Sequence, residues 1–304
     1  MWYFRSRDLF PEPIPVVWVT FILGMFAAAP VYVVEEFLGS LYRGTTAFSW
    51  SLYNSFFVAG LVEESFKLLV LLSYPFQHKA FDEEMDGVIY GVSASIGFSV
   101  IENILYSFIY YAPSGLEIAN ARGIMCVPGH AAWGALLGYY AARGKLRGRA
   151  LAGTLSGLSV AVLLHGLYDF FLFLGNSMDL ITYLFLLLPA SALVVIVSWV
   201  WVFRLTKELQ IYQAIVGFRT QPVAACRPNV QLPQDKATEG RTAVGAVLAG
   251  IGILILLGMA AGFLTGVFRD PKETEYLICA VGLGVVPAVV GMILLRLGHR
   301  AHEV

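Results

Sequence analysis

Charge is scarce in this chain of 304 residues: 13% are Asp, Glu, Lys or Arg, against about 25% in a soluble domain. The net charge of −1 says little by itself, but no basic cluster is longer than a short loop, so no nucleic-acid partner is expected. Cysteine is nearly missing. Cys126, Cys226 and Cys279 have no metal-like spacing and leave at least one thiol unpaired, so they read as incidental. Internal repeats are absent too, which counts against an inverted-repeat transporter. No cleaved leader is expected either: Arg5 and Arg7 precede an apolar run of about twenty residues, whereas a cleaved signal has roughly 7–15. That run reads as an uncleaved first transmembrane helix.

What the chain has in abundance is hydrophobic sequence, 58% of its residues, with a mean hydropathy of +0.72. A spanning helix needs about 20 mainly apolar residues. Eight stretches qualify: 14–36, 52–75, 86–111, 126–142, 150–174, 180–203, 243–267 and 275–295. Breakers separate them, with Pro75 to Lys79 after the second, Pro113-Ser114-Gly115 after the third and Asp270-Pro271 within the last pair. The expected fold is an all-α, polytopic membrane bundle of about eight transmembrane helices, in the cell membrane. With the N-terminus inside, fifteen Lys and Arg fall on the inner side, while Arg43, Arg122, Arg269 and Lys272 fall outside. The positive-inside rule then places both termini in the cytoplasm. Residues 207–242 are polar, carry Pro222, Pro228 and Pro233, and read as a cytoplasmic linker. The linker separates a six-helix core, 1–206, from a C-terminal transmembrane hairpin, 243–304, whose apolar runs hold no ionisable residue.

The core is different. Gly60 to Leu72 is apolar enough for lipid, yet contains Glu63, Glu64 and Lys67. A charge near the bilayer centre costs about 2.5–3.5 kcal/mol even on the gentler insertion scale. Partners are therefore required, and later helices bring Glu102 with Asn103, His130, and His165 with Asp169. At 1.5 Å per residue, Glu63 falls about 17 Å from the outer end of its segment, Glu102 and His165 about 14 Å, and His130 about 6 Å. All four depths lie in the outer half of a core roughly 30 Å thick. Glu63 and Lys67 share a helix face, as do His165 and Asp169. Small residues such as Gly60, Gly91, Gly97, Gly134 and Gly166 let the helices approach and leave room for a water-reaching cavity.

Each group has a structural alternative. Glu63-Glu64 could be a cluster neutralised by Lys67, and Glu102-Asn103 an interhelical hydrogen bond. His130 could be an interfacial histidine after Pro128-Gly129, and His165 with Asp169 a simple ion pair. Four such structural roles in one layer of the membrane are a less economical account than a single site. Histidines and carboxylates from three helices can hold tetrahedral zinc with an open water position. Asp169 is placed to fix the ring of His165 or to be a ligand itself. A glutamate of the pair can take a proton from water activated by the metal and return it to a leaving amine. Lys67 would help to hold a developing oxyanion. The ligand candidates are Glu64, Glu102, His130 and His165; the catalytic candidates are Glu63, Glu64 and Lys67; Asp169 and Asn103 support them.

These residues also form motifs. Glu63-Glu64-x-x-Lys67, Asp86-Gly-Val-Ile-Tyr-Gly91, Phe98-x-x-x-Glu102-Asn103, Gly129-His130 and His165-x-x-x-Asp169 resemble, in order, those of the PrsW family. That family is similar to the CAAX prenyl proteases and abortive-infection proteins. The resemblance covers about residues 55–170. It implies intramembrane site-1 cleavage of a membrane-anchored, single-span protein, such as an anti-sigma factor, near the extracytoplasmic face. It also implies that Glu63 and Glu64 are catalytic and His165 essential. CAAX-type relatives carry His where this chain has Glu102. Three other readings compete: a proton- or ion-coupled transporter, because buried Glu, Lys, His and Asp also make proton relays; an idle scaffold binding partners, or another copy of the chain, through the last two helices; and a haem protein using His130 and His165, in which the carboxylates would have no role.

Overall fold

The computed structural model describes residues 1–107 and 114–220, and among them every regular element is helical. The expected hairpin at 243–304 and linker residues 221–242 lie outside the described residues. A short helix α1 (Trp2–Arg7) lies ahead of α2 (Ile14–Ser40), which begins at a Pro13-Ile14-Pro15 start and carries Pro30 inside. Thr46 caps α3 (Ala47–Tyr53) by accepting the Ser49 N–H at 3.2 Å. The chain continues without a break through a π-helical turn (Asn54–Gly60) into α4 (Leu61–Ser73), which stops at Pro75. Helix α5 (Glu84–Leu105) starts in a reciprocal capping box between Glu83 and Asp86. Helices α6 (Gly115–Leu146) and α7 (Ala150–Gly175) form a hairpin through Gly148, whose positive φ of 68° suits a residue without a Cβ. Then α8 (Leu180–Thr182) runs through a π turn (Tyr183–Leu187) into α9 (Leu188–Thr220).

Helix α5 is central, with α2 on one side and α6 on the other, and α7 packs on the far side of α6. Backbone meets backbone at these contacts. A Cβ on Gly91 would lie 2.0 Å from the Gly134 carbonyl oxygen, and one on Gly97 would lie 2.0 Å from that of Phe21. The glycines are therefore used to bring helices together, which puts the side chains of α4, α5, α6 and α7 in mutual reach.

Four helical runs are long and apolar enough to cross a membrane: Ile14–Ser40, Glu84–Leu105, Ala150–Gly175 and Leu180–Ile215. Two other expected spans of the core are helical but fall short of that description. The stretch around 52–75 is divided by the π turn and holds the buried Glu63, Glu64 and Lys67. The stretch expected at 126–142 is instead the middle of α6, which carries Glu117, Arg122, Arg143 and Lys145. His130 consequently lies fifteen residues after the first residue of its helix, not four. A second difference is at the boundary expected after residue 206, where α9 continues to Thr220. Its Thr206, Leu209 and Gln213 make one buried stripe, and Gln213 hydrogen-bonds the N-terminal segment, so tertiary contact extends the helix.

Candidate active site

The seven residues of the π turn decide where α4 points. Gly60 at its end packs on α7, where an added Cβ would sit 3.3 Å from the Val162 carbonyl oxygen and 3.4 Å from the Gly166 nitrogen. Phe56 in the same turn covers Gly166. This close seat lets the next turn of α4 reach α6 and α7. Single π turns inside α-helices often mark functional sites, because they shift the register of the side chains that follow.

Lys67 stands at the focus. Its Nζ donates to Glu63 Oε2 at 3.1 Å, Glu64 Oε1 at 2.8 Å and His130 Nδ1 at 2.8 Å, and it lies 4.4 Å above the Phe98 ring. An ammonium has only protons to offer, so His130 Nδ1 must accept here. His165 Nδ1 lies 2.9 Å from Glu64 Oε1, while Nε2 lies 3.1 Å from Asp169 Oδ2. Glu63 is 3.9 Å from both histidines. The side chains of Glu63, Glu64, Lys67, His130 and His165 are only 0% to 4% exposed.

The two imidazoles are disposed alike. Each turns Nδ1 inward to the Glu–Lys cluster and Nε2 toward a carboxylate, Asp169 for His165 and Glu102 for His130. The Glu102 contact is 2.9 Å long but off the line of a hydrogen bond, leaving His130 Nε2 and Glu102 Oε2 without a formal partner. Arg122 holds the other Glu102 oxygen at 2.6 Å and lies over the Tyr106 ring. Trp133 stacks flat on His165, ring centres 4.6 Å apart, and anchors itself through Nε1–H to Ser198 Oγ at 3.2 Å. The ring of His165 is thereby clamped on its face and at both nitrogens.

The donors expected from sequence divide into two groups. Glu63, Glu64, His130 and His165 each offer an atom within 4.8 Å of the others. Glu102 is outside that group and makes a second one with His130 and Cys126, a thiol that the sequence marked as incidental. Asn103, expected in support, has its Oδ1 buried with no hydrogen-bond partner among the described residues. Asp169 meets His165. The expected water-reaching cavity takes a different form: the inner groups are closed off, and exposure rises only through Glu102 (12%), Asp169 (13%) and Arg122 (18%). Sequence reasoning missed Arg122 as a site residue, placing it in an outer loop, and missed Trp133. An arginine four residues before Cys126 on a continuous helical register was the available signal for Arg122. A tryptophan in an apolar run carries no such signal.

Two imidazoles and two carboxylates fit a transition-metal ion, since nitrogen and oxygen donors in this combination are those of catalytic zinc sites. Glu64 Oε2 is buried and has no hydrogen-bond partner among the described residues, which leaves an acceptor beside the cluster.

The protein-family comparison bears on what such a site does. Residues 12–201 match the family described as PrsW family intramembrane metalloprotease. This chain belongs to the PrsW family. Among curated relatives, protease PrsW of Bacillus subtilis is 36% identical over 174 residues, covering 56% of this chain and 76% of the relative. Protease PrsW of Oceanobacillus iheyensis is 33% identical over 187 residues, 61% and 83% of the two chains. That of Clostridioides difficile is 32% identical over 176 residues, 57% and 74%. No solved structure matches the chain. The chain is therefore a membrane protein and a peptide-bond hydrolase of the intramembrane class, and membership of this family does not favour the transporter reading. The family's description as metalloproteases suggests a metal, which the donor set around Glu64 suits.

Proposed function

We propose that the chain is a zinc-dependent endopeptidase that cuts a single-span, membrane-anchored protein, of which an anti-sigma factor is an example, in the outer half of the cell membrane. The observation that carries the proposal is the meeting of Glu63, Glu64, His130 and His165, from three helices, within 4.8 Å inside an apolar bundle. Glu64 with the Nδ1 atoms of His165 and His130 would hold the metal. Asp169 and Glu102, at the opposite ring nitrogens, would orient the two imidazoles, the usual role of a carboxylate behind a ligating histidine. When bound, the metal supplies Lewis acidity, making water a nucleophile at neutral pH and polarising the scissile carbonyl.

The remaining work falls to side chains. Glu63 accepts the proton of the attacking water and passes it to the leaving amine, a transfer worth 10²- to 10⁴-fold in typical enzymes. Lys67 shares the acceptors of the proposed metal, so its ammonium would have to yield those positions to a bound ion. It then stabilises negative charge on the substrate carbonyl. A substrate helix would enter past Arg122, Asp169 and Glu102, the more exposed groups of the cluster. The proposed topology has eight spans, both termini cytoplasmic, and a polar cytoplasmic linker from about residue 221.

The test is cleavage of a reconstituted single-span substrate, with metal content measured on the same samples. Glu63→Gln is expected to abolish cleavage while keeping the metal, and His165→Ala to lose both. Cleavage undiminished in Glu63→Gln and Glu64→Gln would remove the catalytic assignment. A reporter fused after Arg147 should read cytoplasmic; an external signal there reverses the topology.

A further inference from the structure

A second buried cluster lies at the other end of α5. Asp8 and Glu12, on the segment between α1 and α2, meet Glu83 and Asp86 at the start of α5, with Gln213 of α9 closing over them. Asp86 is sixteen residues before Glu102 on one helix, about 24 Å at 1.5 Å per residue, so the two clusters are separate. Asp8, Glu12 and Asp86 are 5%, 3% and 0% exposed, and each offers an oxygen within 4.8 Å of the others.

The neutral donors around these carboxylates are used up. Gln213 Nε2 donates to Asp8 Oδ1 at 2.7 Å and to Glu83 Oε1 at 2.5 Å. The Phe10 N–H also donates to Asp8 Oδ1, and Tyr90 O–H donates to Glu12 Oε2. Asp86 Oδ2 takes the N–H groups of Asp82 and Glu83 at 2.8 and 2.9 Å. Arg5 donates its Nε–H to the main-chain oxygen of Glu12 at 2.9 Å. Two buried oxygens, Asp8 Oδ2 and Asp86 Oδ1, have no hydrogen-bond partner among the described residues. An unmatched buried carboxylate oxygen costs far more than an exposed one. Four carboxylates thus meet around amide and hydroxyl donors.

We propose that Asp8, Glu12 and Asp86 bind a hard divalent cation, Mg²⁺ or Ca²⁺, that ties the N-terminal segment to the first turn of α5. The donors are all oxygen and mostly carboxylate, the set that selects these ions over zinc. The fold supplies the donors from two chain segments fifty or more residues apart, so the ion would act as a cross-link. Asp86 touches none of the residues of the proteolytic site; cation binding would add to its part in capping α5.

The probe is Mn²⁺, followed by electron paramagnetic resonance on the full-length protein in detergent after chelation. It is used in the double variant Glu64→Gln/His165→Ala, which lacks the donors of the other site. One Mn²⁺ should bind per chain, competed by Mg²⁺ or Ca²⁺ and weakened at least tenfold by adding Asp8→Asn or Asp86→Asn. Because Asp86 also caps α5, thermal unfolding gives a second reading. Mg²⁺ or Ca²⁺ should raise the Tm of the natural chain and leave that of Asp8→Asn unmoved. The proposal is overturned if no saturable binding occurs, if binding survives both aspartate substitutions, or if lowering the pH stabilises the chain while cations do not. That last result means that shared protons hold the cluster.

Discussion

Helix α5 has a buried charge cluster near each end, and the two are built to different rules. At Glu102 the carboxylates face Arg122, and its neighbours Glu63 and Glu64 face Lys67; imidazoles stand between them. At Asp86 the carboxylates face amide and hydroxyl donors and one another. The first cluster sets two cations and two imidazoles among its carboxylates, so it can offer nitrogen as well as oxygen to a borderline-soft ion. The second offers only oxygen. The lesson is that donor chemistry, more than the number of acidic residues, separates the proposed catalytic centre from the proposed cross-linking one.

The contrast is broken most severely at Glu63. Glu63→Gln removes the proposed proton carrier and should lower the cleavage rate 10²- to 10⁴-fold, with thermal unfolding changed little. An equal loss from Glu12→Gln would mean that the acidic end takes part in chemistry. Next in size is the orienting carboxylate: Asp169→Asn should weaken zinc binding at the first site about 10- to 100-fold, read by competition with a fluorescent chelator. Unaltered affinity would leave Asp169 as a mere ion-pair partner.

Lys67→Met strands two buried carboxylates, and losing one partner of such a pair costs about 3–5 kcal/mol. Its Tm should fall sharply, and added zinc should restore part of the fall if ion and ammonium share one place. No recovery with zinc separates the two positions.

The smallest effect concerns pH at the acidic end. Glu83 is held at about 8 against 4.5 for the free group, by burial and then by Asp8, with Asp82 and Gln213 also facing it. The folded state then binds more protons than the unfolded one between those values, so stability falls as pH rises from about 5 to 8. In chelator the Tm should decline over that window, and a divalent cation should flatten the decline. A Tm that rises with pH in chelator contradicts the assignment.

Much of the proteolytic site could be read in advance because lipid makes buried charge conspicuous. Glu63, Glu64, Lys67, Glu102, His130, His165 and Asp169 were singled out on that ground alone, and all make polar contacts in one connected cluster. The acidic cluster was not legible, since Asp8, Glu12 and Glu83 lie in segments where charge is ordinary. Trp133 was invisible for the opposite reason: its apolar ring fits any membrane helix, and only stacking on His165 gives it a role. The start of α6 was misjudged by composition. Glu117 and Arg122 look like loop residues, whereas Arg122 is matched by Glu102 and stays in the helix.

By itself the sequence determined that this is a helical membrane protein and which few polar side chains it must reconcile with an apolar interior. Hydropathy and residue type are local properties, and they survive without knowledge of the fold. Only the tertiary structure decided which of those groups meet. That depends on helix separations set by glycine contacts such as Gly91 with Gly134, and on the π turn that aims α4. Those contacts join residues far apart in the chain, and no local pattern encodes their distances.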